Sequence, residues 1–166
     1  FIDIDRTLKV IEENKDIICG IKVRASGVIV GPWGIEPVKI ARKVAEIAKL
    51  PMMVHIGEPP PTLNQVFDLL RPGDIVTHCF NGKNPGSISD SPQIFANAKR
   101  LSEEGVYMDV GHGAASYNFK VAKEAIVDSD DDISADRLKN AAATKKLAIF
   151  DAFEILTRIE EENNIL

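Results

Sequence analysis

The sequence predicts an α/β fold, a parallel sheet with helices packed outside it. Short apolar runs rich in β-branched residues alternate with amphipathic segments, and the unit recurs about every 25 to 35 residues, the length of a strand and its crossover helix. The polar residues of the strand-like runs are not scattered. They gather at or near the carboxyl ends, at Lys22, His55, His78 and Asp136. A length of 166 residues with 45% hydrophobic side chains suits one domain-sized core.

Taken in order, "DIICGIKVRAS" (16–26) reads as the first strand, and "EPVKIARKVAEIAKL" (36–50) as a helix with apolar positions at helical spacing. "PMMVHIG" (51–57) is the next strand, followed by the helix "PTLNQVFDLL" (61–70). "DIVTHCF" (74–80) is the third, followed by "SPQIFANAKRLSEEG" (91–105). "VYMDVGHG" (106–113) is the fourth, then the helix "SYNFKVAKEAIVD" (116–128) and a last short strand-like piece, "DISAD" (132–136). In α/β folds the carboxyl edge of the sheet is where ligands bind, both in doubly wound sheets and in (β/α)8 barrels. A doubly wound sheet more often carries a glycine-rich phosphate loop after its first strand, and neither common form of that loop occurs.

Composition narrows the partners. The net charge of -5 is spread along the chain without a basic block, which argues against nucleic acid. No apolar run approaches the roughly 18 residues that span a bilayer, and "FIDIDRTLKV" lacks the pattern of a secretion signal. A cytoplasmic protein acting on a small molecule is expected, with no membrane partner and with self-association into a homo-oligomer left open. Cys19 and Cys79 each sit in an apolar strand-like run and are expected to be small buried hydrophobes.

The strand-end residues carry the chemistry. A lysine embedded in a parallel strand loses solvation, which costs several kcal/mol unless it is paired, neutral or modified. Lys22 therefore either snorkels to an acid or, as a neutral amine, reacts with carbon dioxide to give a carbamate able to bridge two cations. His55 taken alone reads more readily as a satisfied core or strand-end histidine than as a ligand. By the period of two, Val54 and Cys79 point into the helix layer, so His55 and His78 are expected to face the other way, together. Lysine, two histidines and Asp136 form an N and O set suited to zinc or a similar divalent ion.

Further residues line the same edge. Arg24, two positions past Lys22, either grips a substrate carboxylate or sits exposed on a loop. His112 lies between Gly111 and Gly113 and is expected to touch the substrate or an oxyanion. Tyr117 and Asn118 are weaker pocket candidates, and Glu58 to Pro61 reads as a stiff rim loop. "DSDDD" (128–132) lacks the glycine and glutamate of a calcium loop and reads as a solvated turn.

"GIKVRAS", "MVHIGEPPP", "RPGDIVTHCFNGK", "MDVGHGAASYNF" and "DISAD" together resemble the metal-dependent amidohydrolase superfamily, in its amidohydrolase or deacetylase branch, often labelled dihydroorotase-like. The resemblance runs from residue 1 to about 136. It implies a (β/α)8 barrel with a binuclear metal centre, usually zinc. Lys22 matches the carboxylated bridging lysine of the fourth strand. His55 and His78 match the metal-binding histidines of the fifth and sixth, and Asp136 the aspartate of the eighth. The family's first-strand His-x-His pair has no counterpart. Five strands cannot close an eight-stranded barrel, so the chain is expected to be an incomplete portion, about strands 4 to 8, of a longer protein. Residues 1–140 are assigned to that partial barrel. Residues 141–166, with "KLAIFDAFEI", resemble a remnant of the small β domain beside such barrels.

The activity implied is hydrolysis of an amide C–N or an ester bond in a small N-acyl or O-acyl carboxylate substrate. It would use metal-bound hydroxide, with Asp136 as general base and then general acid. A cyclic amidase of the dihydroorotase type would use the same centre. A non-catalytic barrel scaffold is the rival outside enzymes.

Overall fold

The computed structural model describes residues 2–111, 113 and 115–127. Four strands, β1 (Ile21–Ala25), β2 (Met52–Ile56), β3 (Ile75–Thr77) and β4 (Tyr107–Asp109), form one parallel sheet in the order β1-β2-β3-β4. Consecutive strands are neighbours, as in a sheet built from successive β-α units. The helices are α1 (Ile4–Glu13), α2 (Gly27–Val30), α3 (Glu36–Ala48), α4 (Leu63–Phe67), α5 (Pro92–Glu103) and α6 (Phe119–Val127), with a 3-10 turn at Gly31–Trp33. The strand expected at 132–136 and the boundary expected near residue 140 lie outside the described residues. Among the described residues no helix is long and apolar enough to cross a membrane.

Local chemistry explains the elements. In α3, Pro37 sits in the first turn, where its missing N–H costs nothing, and Val38, Ala41, Val44 and Ala45 form the buried stripe. The helix stops at Lys49, whose φ of 55° is left-handed and lets its N–H close on Ala45 and Glu46 carbonyls. Helix α4 starts with a capping box: the Thr62 hydroxyl accepts from Gln65 N and the Gln65 side chain accepts from Thr62 N. Ser91 caps α5 with its hydroxyl alone, accepting from Ile94 N, with Pro92 next. The sequence reading gave no helix to the first ten residues, yet α1 is capped by Asp3, which accepts from Arg6 N at 3.0 Å, and it buries Ile11. Because α1 and the turn after it occupy the chain up to Ile17, β1 begins only at Ile21. Cys19 therefore precedes the strand and is exposed, not buried as expected; Cys79 is buried.

One face of the sheet builds the core. Val23, Ala25, Met52, Val54, Ile56 and Val76 pack with Val38 and Ala41 of α3, Leu63, Val66 and Phe67 of α4, and Ala98 and Leu101 of α5. Each fully buried Val or Ile contributes about 1.5–3 kcal/mol relative to exposure. The amino ends of the strands are joined by a polar clip. Asp74, 2% exposed, accepts Met52 N at 2.8 Å, Arg71 N at 2.7 Å and Arg42 Nη1 at 2.5 Å, while its carbonyl accepts Tyr107 N at 2.8 Å.

Removing that carboxylate leaves the buried Arg42 guanidinium only the exposed Glu46 carboxylate, 3.4 Å from Nε, and strands two backbone donors. Asp74→Ala is expected to cost about 3–5 kcal/mol of unfolding free energy, as for other broken buried pairs. Arg42→Met should cost less, because the carboxylate keeps its two N–H donors. Denaturant unfolding of both variants checks this, and a loss below about 1 kcal/mol for Asp74→Ala, the scale of an exposed pair, would contradict it.

Candidate functional site

Parallel register sets out the second face of the sheet. Arg24 pairs with His55, His55 with Thr77 and Thr77 with Asp109, so these four residues form one lateral row. Side chains two apart share a face, and Lys22 therefore belongs to the next row down, level with Met53. That is about 6.6 Å toward the amino end. Lys22 is thus the second residue of β1 and not its last, and it is exposed, so the expected loss of solvation does not act on it among the described residues. Arg24 is exposed as well.

His78 reaches the site by a different route from the one alternation predicts. Val54 and Cys79 do lie buried on the core side. The inner position at the end of β3, however, is taken by Thr77, and simple alternation would turn His78 toward the helices. Its φ of 68° brings it back. A left-handed backbone at a non-glycine residue costs about 1–2 kcal/mol and needs support from its surroundings. The result is a close pair of imidazoles, with His55 and His78 ring centroids 4.3 Å apart and the planes at 71°.

Hydrogen bonds decide which nitrogens are free. His78 Nδ1 lies 2.8 Å from the Gly111 carbonyl oxygen, which can only accept. Nδ1 therefore carries a proton, which leaves Nε2 as the ring nitrogen to offer a metal. This is how a second partner fixes the tautomer of a ligating histidine. Gly111 has φ 53°, and a Cβ there would run into His78 Nδ1 and Thr77 Oγ1, so glycine is needed on both counts. Beside it, Thr77 Oγ1 donates to Asp109 Oδ2 at 2.5 Å, the short distance of a hydrogen bond to a carboxylate.

The charges around His55 are cationic. Burial, then His78, then Arg24, Lys22 and Lys83 push its pKa down to about 4. His55 is therefore neutral, with a ring lone pair available, down to acidic pH. Lys83 pairs with Glu58, and that hydrogen bond holds the Glu58 carboxyl below its usual range. The rim loop expected at Glu58 to Pro61 is pinned to the start of α2, because Gly27 N donates to the Glu58 carbonyl at 2.6 Å. Asn118 acts locally at the start of α6, where its side-chain oxygen accepts Lys120 N at 2.9 Å and Val121 N at 3.3 Å. The Tyr117 ring packs edge-on against Phe80 and Phe119.

Asp136 and His112, expected as metal ligand and general base, and as substrate contact, lie outside the described residues. Among the described residues no three His, Cys, Asp or Glu side chains converge on one point. Two imidazoles side by side, one of them held neutral and the other bound through Nδ1, nevertheless fit a divalent ion that accepts nitrogen ligands. Residues that the sequence reading passed over are Lys83, Asn81 and the Thr77–Asp109 pair.

No protein-family profile matches the chain. Curated proteins do: a deacetylase of Agrobacterium fabrum is 54% identical over 125 residues, covering 75% of this chain and 31% of that protein. A deacetylase of Enterococcus faecalis is 40% identical over 120 residues, covering 71% of this chain and 32% of that protein. Among solved structures, one described as a dihydroorotase has TM-score 0.73 at 53% identity, covering 76% of this chain and 33% of that one. Another, described as an adenine deaminase, has TM-score 0.68 at 37% identity, covering 75% and 34%. The chain belongs to the amidohydrolase superfamily. It spans about a third of the length of the relatives it matches. The four-stranded sheet of this chain is an arc of a (β/α)8 barrel, as expected. An arc leaves open the inner face that a closed barrel covers, which accounts for the exposure of Lys22 and Arg24.

The depressed basicity of His55 has a measurable sign. The unfolded chain takes up this proton near pH 6.5 and the folded chain only near 4, so the stability His55 carries is whole above pH 6.5 and is lost as pH falls toward 4. Histidine side-chain NMR of the metal-free protein should show His55 titrating near 4. A midpoint near 6.5 would contradict the environment described.

Proposed function

We propose that the protein containing this chain is a metal-dependent hydrolase of an amide C–N or ester bond in a small N-acyl or O-acyl carboxylate, with His55, His78, Lys22 and Asp136 holding the metal. The observation that carries the reading is the close His55–His78 pair, with His55 neutral and Nδ1 of His78 turned to the Gly111 carbonyl so that Nε2 is the nitrogen left to bind. A scaffold protein has no need to maintain a left-handed histidine against its backbone cost. Names support the reading too: two curated relatives are deacetylases.

Divalent ions, zinc first by ligand type, would polarise the acyl carbonyl and make water acidic enough to attack at neutral pH. The chain's own side chains do the rest. Lys22, as its carbamate, would provide an anionic oxygen pair where its ammonium provides none. The same conversion removes one positive charge from beside His55. Arg24, in the row of His55 and without an ion-pair partner among the described residues, would take the substrate carboxylate. That fixes which end of the substrate lies over β1. Asp136 would take a proton from water and pass it to the leaving amine or alkoxide, with His112 contacting the substrate. The solved structure described as a dihydroorotase supports a second reading, a cyclic amidase using the same residues.

Turnover of N-acetyl amino acids and O-acetyl hydroxy acids against dihydroorotate by the full-length protein separates the two readings. The role of Lys22 is tested in the same protein. Wild type should hold about two divalent ions per chain, as other binuclear hydrolases do. Lys22→Ala should lose metal and activity, and acetate or propionate should partly restore both. Unchanged metal content with no rescue would assign Lys22 to a plain ion pair.

A further inference from the structure

We infer that Asn81 is a positioning residue that holds His78 in the left-handed conformation its ring needs to reach the inner face of the sheet. The inference rests on the reading of His78 as a metal ligand and extends it to a residue outside the ligand set. Asn81 is 1% exposed, and both the nitrogen and the oxygen of its amide bond to this loop. Its Nδ2 donates to the His78 carbonyl at 3.0 Å and to the Gly86 carbonyl at 2.9 Å, and its Oδ1 accepts Lys83 N at 2.9 Å. The Asn81 backbone N–H donates to the same His78 carbonyl at 3.1 Å.

Two donors from one buried residue therefore fix the peptide plane that follows His78. The Gly111 carbonyl fixes the ring from the other side. His78 is clamped at both ends, and each clamp matters for a different reason. The Gly111 bond chooses the nitrogen that carries the proton. The Asn81 bonds oppose relaxation of φ from 68° to the ordinary negative range, which would swing the ring toward the core side that Cys79 and Met108 occupy. With that swing the Nδ1 bond to Gly111 is lost too. A side chain with two donors and one acceptor fits here, and only an amide presents both from one short stem.

The competing view is that Asn81 merely stiffens the loop. Asp90 allows the two to be told apart, because it braces the same loop through Gly86 N at 2.5 Å and Ser87 N at 3.2 Å. In the full-length protein, Asn81→Asp keeps the acceptor for Lys83 N and turns an oxygen toward both carbonyls. Asn81→Ser is the second variant should that one not fold. Nitrogen-15 shifts of the histidine rings in the metal-free protein report which nitrogen of His78 is protonated, and chelator competition reports zinc affinity. Wild type should show the proton on Nδ1. The Asn81 variants should show mixed tautomers and zinc affinity lowered about 10- to 100-fold, the usual effect of losing a residue that orients a ligand. Asp90→Ala should lower the melting temperature and leave tautomer and affinity close to wild type. Folded Asn81 variants with wild-type tautomer and affinity would overturn the inference, as would an Asp90→Ala protein that loses both to the same degree. If wild type binds no zinc, the metal reading fails, and the His78 tautomer in the variants still decides the role of Asn81.

Discussion

The carboxylate of Asp74 sets the height of the strands, and the site depends on that height. It accepts the N–H of Met52, the first residue of β2; it directly precedes Ile75, the first residue of β3; and its carbonyl accepts the N–H of Tyr107, the first residue of β4. Three strands are thus levelled against one residue at their amino ends. Counting forward, His55, Thr77 and Asp109 arrive level at the carboxyl ends. A buried ionised carboxylate is costly unless it is fully bonded, and here Arg42 and two backbone donors offset that cost. A slip of one residue in any of these pairings would send the inner row to the core face.

On that levelled edge the chemistry is divided by position. The β1 side carries Arg24 and, one row deeper, Lys22, while the β4 side carries the Asp109 carboxylate held by Thr77. Between them lie two close imidazoles, of which His55 is kept neutral by burial and the surrounding cations. Metal ligands must offer lone pairs, and a nearby positive field with partial desolvation is a direct way to keep a histidine unprotonated.

Much of this was legible in the chain because it is periodic. The residues of β2 alternate buried and half-buried, as "MMVHI" predicts, and the stripe of α3 follows the helical spacing of its apolar residues. His55 follows from that alternation. What escaped is set by single backbone torsions and by partners far along the chain. Alternation alone would send His78 to the wrong face, and no local pattern announces φ 68° or the carbonyl of Gly111 that rewards it. Asn81 is hidden for the same reason, since an Asn-Gly pair after a strand reads as an ordinary turn. Lys22 lies three residues before the end of β1, and β1 begins five residues after the start of the apolar run, past the turn that follows α1.

The central claim is that His78 offers Nε2, and His55 a neutral ring nitrogen, to a common metal centre. Anomalous diffraction at the zinc edge from crystals of the full-length protein grown with zinc tests it directly. The account predicts an anomalous peak about 2.0–2.1 Å from His78 Nε2, with His55 among the ligands of the centre and the Gly111 carbonyl still bonded to Nδ1. A peak bonded to Nδ1 of His78, or zinc bound elsewhere with both imidazoles free, would contradict it.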